Sequence, residues 1–152
     1  MNSPIQILAG TIWRYKMNVK KISHLGIAVE SIDDQIGFFK DVLGLEFTGE
    51  EIVKDQKVKV AFLKVGESRV ELIEPITDDS PVRKFLDKKG NRTTIHHVAY
   101  EVDNLEAAIQ EVKETGAKMI DEEPRIGAGG VRIAFVHPKS ASGILTELCE
   151  QH

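Results

Sequence analysis

The chain repeats one short statement, and any fold it adopts must accommodate both copies. Residues 23–44 read SHLGIAVESIDDQIGFFKDVLG, and residues 93–116 read TTIHHVAYEVDNLEAAIQEVKETG. In each, a histidine (His24 or His97) opens an alternating run and an acidic or Asn-bearing turn follows. An amphipathic stretch then ends at a glycine, 20 residues after His24 (Gly44) and 19 after His97 (Gly116). Self-similarity of this kind signals an internal duplication of one supersecondary unit.

Period-2 alternation over 21–29 predicts a strand with His24, Gly26 and Ala28 on one face and Leu25, Ile27 and Val29 on the other. A helix packs on the face with the large apolar groups. Ser31 and Asp34 have capping-box spacing, Ile36, Phe39 and Leu43 form an apolar stripe, and Gly44 supplies the stop. Strands are expected at 46–53, 58–65 and 69–74, the last with Val70 and Leu72 opposite Glu71 and Ile73. A short connecting helix over 80–90 has Ser80 as N-cap, Pro81 at its first position and Gly90 at its end.

The second copy repeats the order. Over 95–102, His97, Ala99 and Glu101 share one face, and Val98, Tyr100 and Val102 the other. Asp103 or Asn104 caps a helix with Leu105, Ala108, Ile109 and Val112 inward, and strands follow at 117–121, 131–136 and 144–150. The expected architecture is α+β: tandem β-α-β-β-β modules at 19–76 and 93–152 within one domain, 19–152, enclosing one cleft. Residues 1–18 form an N-terminal extension. Its Ile5, Ile7, Leu8 and Trp13 either serve no catalytic role or pack on another subunit.

Composition supports a single globular domain. In 152 residues, 41% are hydrophobic and 29% charged, enough to bury a core. A net charge of −4 gives no basic footprint for nucleic acid. No apolar run approaches the roughly 20 residues of a membrane span. The single Cys149 cannot form an internal disulfide, which suits a reducing, cytoplasmic setting.

Each module carries one His on its first strand and one Glu on its last: His24 with Glu71, 47 residues apart, and His97 with Glu147, 50 apart. All four fall on the face opposite the bulky apolar residues. Two imidazoles and two carboxylates suit a divalent ion such as Co2+, Zn2+, Ni2+ or Mn2+. Against this stands the ordinary reading, hydrogen-bonded core histidines and solvated strand glutamates; the repetition favours the site. Parity turns His96 away from the set, His137 enters a turn before Pro138, and His152 is terminal.

Six segments in order, HLGIAV (24–29), VELIEP (70–75), DSPVRKFL (79–86), HHVAYEVDN (96–104), EEPRIGAGG (122–130) and HPKSASGILTELCE (137–150), resemble the vicinal oxygen chelate superfamily, which includes glyoxalase I. Within it the resemblance is to the methylmalonyl-CoA epimerase family, and it covers about residues 19–150. The resemblance implies an isomerase that interconverts (2R)- and (2S)-methylmalonyl-CoA by removing the C2 proton through a metal-stabilised enolate. It implies a homodimer with metal ligands His24, Glu71, His97 and Glu147, and with Glu147 as one base. The second base of some members corresponds to Lys59 here, a departure that leaves Glu71, Lys59, Glu50 and Glu51 as candidates. Gly129 and Gly130 would approach the acyl group or merely form a flexible hairpin connection. Lys139, Ser140 and Ser142 would touch CoA phosphates or merely build a turn, and Arg83 and Lys84 would contact CoA or face solvent. The alternatives are a glyoxalase I-type lactoylglutathione lyase on the same ligands and a non-catalytic small-molecule-binding protein on the same fold. An extradiol dioxygenase needs two His and one carboxylate, and the fourth ligand speaks against it.

Overall fold

The computed structural model describes residues 16–151 in full and the backbone alone of Gln6–Leu8 and Thr11–Trp13. In chain order the elements are β1 (Gln6–Leu8), β2 (Thr11–Trp13), β3 (Val19–Ala28), α1 (Ile32–Gly37), β4 (Glu46–Val53), β5 (Val58–Val65) and β6 (Ser68–Pro75). Then come α2 (Pro81–Lys88), β7 (Thr94–Val102), α3 (Leu105–Glu114), β8 (Arg125–Ile126), β9 (Arg132–Val136) and β10 (Thr146–Glu150). β1 and β2 pair antiparallel. The packing expected of Ile5, Ile7, Leu8 and Trp13, like the terminal His152, lies outside the described residues.

The chain divides into two compact units, Ile22–Ala99 and, separately, Tyr100 onward with the segment leading up to Lys21. In the Ile22–Ala99 unit the strand order is β4-β5-β6-β3-β7. β5 runs antiparallel to β4 and β6, and β3 runs parallel to β6. Ser31 caps α1 by accepting the Asp34 N–H at 3.2 Å. α1 lays Ile32 and Ile36 on Val29, Ala61, Leu63, Val70 and Leu72, the face that alternation assigns to bulky apolar groups. Burying these side chains supplies the main driving force for the unit.

The stripe breaks at Leu43. After Gly37 the helix opens into a π turn, Phe38–Val42, closed by the Leu43 N–H on the Phe38 carbonyl at 3.0 Å. The wider turn keeps Phe39 in the core and rotates Leu43 outward, where it is exposed. α2 begins as the sequence implies: Ser80 accepts the Val82 N–H at 3.3 Å and Pro81 occupies the first turn.

In the second unit α3 is capped by Asn104, which accepts the Ala107 N–H at 3.0 Å. Its Leu105, Ala108 and Ile109 pack on Val102, Met119, Ala134, Val136 and Leu148. β10 pairs with β9 and β9 with β8, both antiparallel. The strand expected at 117–121 reduces to a single bridge, Met119 with Val136. The cause is Asp121: its carboxylate accepts the Phe135 N–H at 2.8 Å, so a side chain takes the donor that a continuing ladder would pair with a carbonyl. Among the described residues no helix is long and apolar enough to cross a membrane.

Candidate metal centre

His24, Glu71 and His97 belong to one unit and are brought together on the face opposite α1. In the parallel β3–β6 ladder Gly26 sits beside Glu71 and Ala28 beside Ile73. The three are 4%, 3% and 4% exposed. Burial this deep costs several kcal/mol for a charged carboxylate unless donors or a cation compensate it.

Both imidazoles aim the same nitrogen at one point. His24 Nε2 and His97 Nε2 are 3.1 Å apart, and the rings meet edge to face at 88° with centroids 5.1 Å apart. The Nδ1 atoms are occupied elsewhere. His24 Nδ1 lies 3.1 Å from Ser23 Oγ and 3.4 Å from Glu71 Oε2, and His97 Nδ1 lies 2.9 Å from His96 Nδ1. Burial first, and then the neighbouring His96 and His24 rings, hold the His97 pKa well below the ordinary imidazole value. Burial pushes His96 down to about 4. His97 and His96 therefore stay neutral near pH 7, and neutral imidazole is the form that binds metals.

The donors fit a divalent cation. Two nitrogens ~2.1 Å from one ion, subtending roughly 90–110°, stand ~3.0–3.4 Å apart, and the 3.1 Å observed falls in that range. The hydrogen bonds at Nδ1 match the outer partners that orient ligating histidines. Glu71 also accepts the Arg69 Nε–H at 2.6 Å. Arg69, two residues away on the same strand face, balances its charge.

In the other unit Glu147 lies mid-strand in β10, opposite Phe135 of β9, and is 3% exposed. Its strand face is that of Ile133, Phe135 and Cys149, away from Leu148 and α3, as parity requires.

The remaining candidates separate. Lys59 pairs with Glu74 and Phe62 pairs with Glu71, so Lys59 is on the α1 side of the sheet, away from Glu71. Glu51 pairs with Val60 and Glu50 with Ala61; since Val60 in turn pairs with Ile73 and Ala61 with Leu72, Glu51 shares the face of Glu71 and Glu50 does not. Gly129 and Gly130 take φ of 75° and 73° in a turn that glycine favours. Ser140 accepts the Lys118 N–H at 2.8 Å and so builds its turn. Lys139 is exposed, and its N–H donates to His137 Nδ1 at 3.1 Å. Ser142 sits at φ 58° in the same turn. Arg83 is paired with Glu30, Asp87 and Asn91, while Lys84 is exposed. Sequence reasoning missed Ser23, Arg69 and His96. Their signals were the residue preceding each histidine and the arginine two before Glu71.

The sequence profile of the Glyoxalase/Bleomycin resistance protein/Dioxygenase superfamily matches residues 23–135. The Bacillus subtilis protein YqjC is 46% identical, covering 87% of this chain and 93% of its own length. Human mitochondrial methylmalonyl-CoA epimerase is 33% identical over 97% of this chain and 81% of its own. The Streptomyces coelicolor methylmalonyl-CoA epimerase (S115T), solved in complex with 2-nitronate-propionyl-CoA, superposes with a TM-score of 0.83 at 34% identity, covering 88% of this chain and 96% of that one. The α+β fold expected from the duplicated modules is thus the fold of this group, and the chain belongs to the glyoxalase superfamily and, within it, to the methylmalonyl-CoA epimerase family.

Proposed function

We propose that this protein is a divalent-metal-dependent epimerase that interconverts (2R)- and (2S)-methylmalonyl-CoA by moving the proton on C2. The observation that carries the reading is the approach of His24 Nε2 and His97 Nε2 to 3.1 Å with both Nδ1 atoms hydrogen-bonded elsewhere. His24, His97, Glu71 and Glu147 are the residues that would hold the ion. The ion would supply a Lewis acid that draws charge from a carbonyl oxygen next to C2.

Inversion at C2 requires one proton-transferring group on each face of the carbon. Glu147 takes the proton on one side or returns it. Glu71 is the proposed partner on the other: it shares the His24 face, which Lys59 and Glu50 do not, and it lies on β6 beside β3, two strands nearer His24 than Glu51 on β4. Arg69 keeps the Glu71 carboxylate oriented through its Nε–H. Gly129 and Gly130 offer bare backbone to the acyl group and Lys139 a cation to the CoA phosphates. The relative bound to 2-nitronate-propionyl-CoA supports a CoA thioester as substrate class. The same reading carries a homodimer in the cytoplasm, where the buried thiol of Cys149 stays reduced.

Titration with Co2+ of chelator-stripped protein tests the metal site. One equivalent is expected to bind, with binding lost in His24→Ala and His97→Ala and epimerisation restored by the ion. Failure of well-folded wild-type protein to bind any of Co2+, Zn2+, Ni2+ or Mn2+ would overturn the reading.

A further inference from the structure

His96 lies next to the candidate ligand His97, and strand alternation gives it no place in the donor set. Its ring nevertheless reaches back: the two Nδ1 atoms are 2.9 Å apart. A neutral imidazole carries one proton, so one of these nitrogens donates and the other accepts. For His97 to offer the Nε2 lone pair that faces His24, its own proton must sit on Nδ1. Which nitrogen holds that proton is set by the hydrogen bond the other side makes, and a ring this buried has few acceptors to choose from.

We infer that His96 is a positioning residue: its Nδ1 accepts the proton of His97 Nδ1 and so turns the His97 Nε2 lone pair toward the metal position. The inference rests on the metal reading above. Two further observations support it. The first is that the arrangement occurs twice. His24 Nδ1 meets Ser23 Oγ at 3.1 Å, so in both copies of the duplicated module the residue just before the histidine supplies the partner at Nδ1. The second is that His96 is anchored. Phe85 of α2 packs edge to face on its ring at 4.8 Å and 79°, and Lys89 lies 5.6 Å over the Phe85 ring. α2, which adds no donor of its own, thereby holds the metal ligand's partner in place.

The chemistry predicts different effects from two replacements. His96→Phe keeps an aromatic ring against Phe85 and removes the acceptor. His96→Asn restores an acceptor oxygen near the position of the lost Nδ1. The experiment is a long-range proton–nitrogen NMR spectrum of 15N-histidine-labelled, chelator-stripped protein, which reports the His97 tautomer directly, beside Co2+ affinity by chelator competition. Wild type is expected to show His97 protonated at Nδ1. His96→Phe is expected to move the proton toward Nε2 and weaken Co2+ binding roughly 10–100-fold, with His96→Asn recovering most of the loss. An unchanged His97 tautomer in His96→Phe, with Co2+ affinity within about twofold of wild type, would overturn the role of His96. Wild type that shows the Nδ1–H tautomer, lost in His96→Phe, but binds no metal would overturn the metal reading and leave His96's control of the proton standing. Loss of structure in the phenylalanine variant would show in the same spectrum as collapse of the histidine signals onto random-coil positions, and the asparagine variant then decides.

Discussion

The imidazole of His97 occupies the space that any side chain at residue 26 would need: a Cβ built on Gly26 would fall 2.2 Å from His97 Cε1. The strand-facing glycine is thus a requirement of the histidine. Gly26→Ala is expected to push His97 off its position and weaken Co2+ binding roughly 10–100-fold, the scale seen when the groups that orient a metal ligand are lost. Chelator competition checks this. An alanine variant that binds as wild type does would show that the ring has another place to go.

The Arg69–Glu71 pair joins a buried carboxylate to a guanidinium whose side chain is 21% exposed. Removing Arg69 takes away the guanidinium that balances this buried charge and leaves the His24 ring, 3.4 Å away, as a weaker partner. Arg69→Met should therefore lower unfolding stability by about 3 kcal/mol in chelator-stripped protein. Adding Glu71→Gln to it should recover part of that loss, because the charge leaves with its partner. Urea denaturation of the two single variants and the double variant measures the coupling.

The face assignments separate the acid–base candidates. Lys59→Met should leave turnover within about twofold of wild type, whereas Glu147→Gln should cost roughly 10²–10⁴-fold, the usual worth of a positioned general base. Stopped assays of acyl-CoA epimerisation on metal-loaded protein check both. A Lys59→Met enzyme as impaired as Glu147→Gln would contradict the face assignment.

Stability should depend on pH through the histidine pair. In the folded state His96 is held at about 4, below its unfolded value of about 6.5. The unfolded chain therefore takes up its proton first as pH falls. The contribution is complete above pH ~6.5, declines as pH drops toward about 4 and levels off below. At pH ~5 His96 accounts for ~2 kcal/mol of lost stability, and His97, lowered by burial and its neighbouring rings, adds with the same sign. Urea unfolding of chelator-stripped protein at pH ~7 and ~5 should show the fall, and His96→Phe should show a smaller one.

Much of the fold was legible because strands keep strict parity. Ile27, Val29, Val70 and Leu72 sit against α1 while His24 and Glu71 face away, and Ser31, Ser80 and Asn104 cap the helices that follow them. What was not legible depends on side chains acting as backbone does or reaching past parity. Asp121 pairs the Phe135 N–H and ends the 117–121 strand early. The π turn after Gly37 exposes Leu43, which a 3.6-residue period places inside. His96 contacts its neighbour by ring rotation, which alternation cannot express. Lys59 was placed by resemblance, although its ladder partner Glu74 puts it on the opposite face from Glu71. Of the site, His24, Glu71 and His97 do come together, and the partners Ser23, Arg69 and His96 became visible only with the fold.

The most direct test of the account is proton exchange at C2. Metal-loaded protein incubated with one epimer of methylmalonyl-CoA in D2O should incorporate one deuterium at C2 as the epimers equilibrate. Chelation should abolish this, and Glu147→Ala should reduce it severely. Absence of both exchange and epimerisation in wild-type protein of verified metal content would contradict the account.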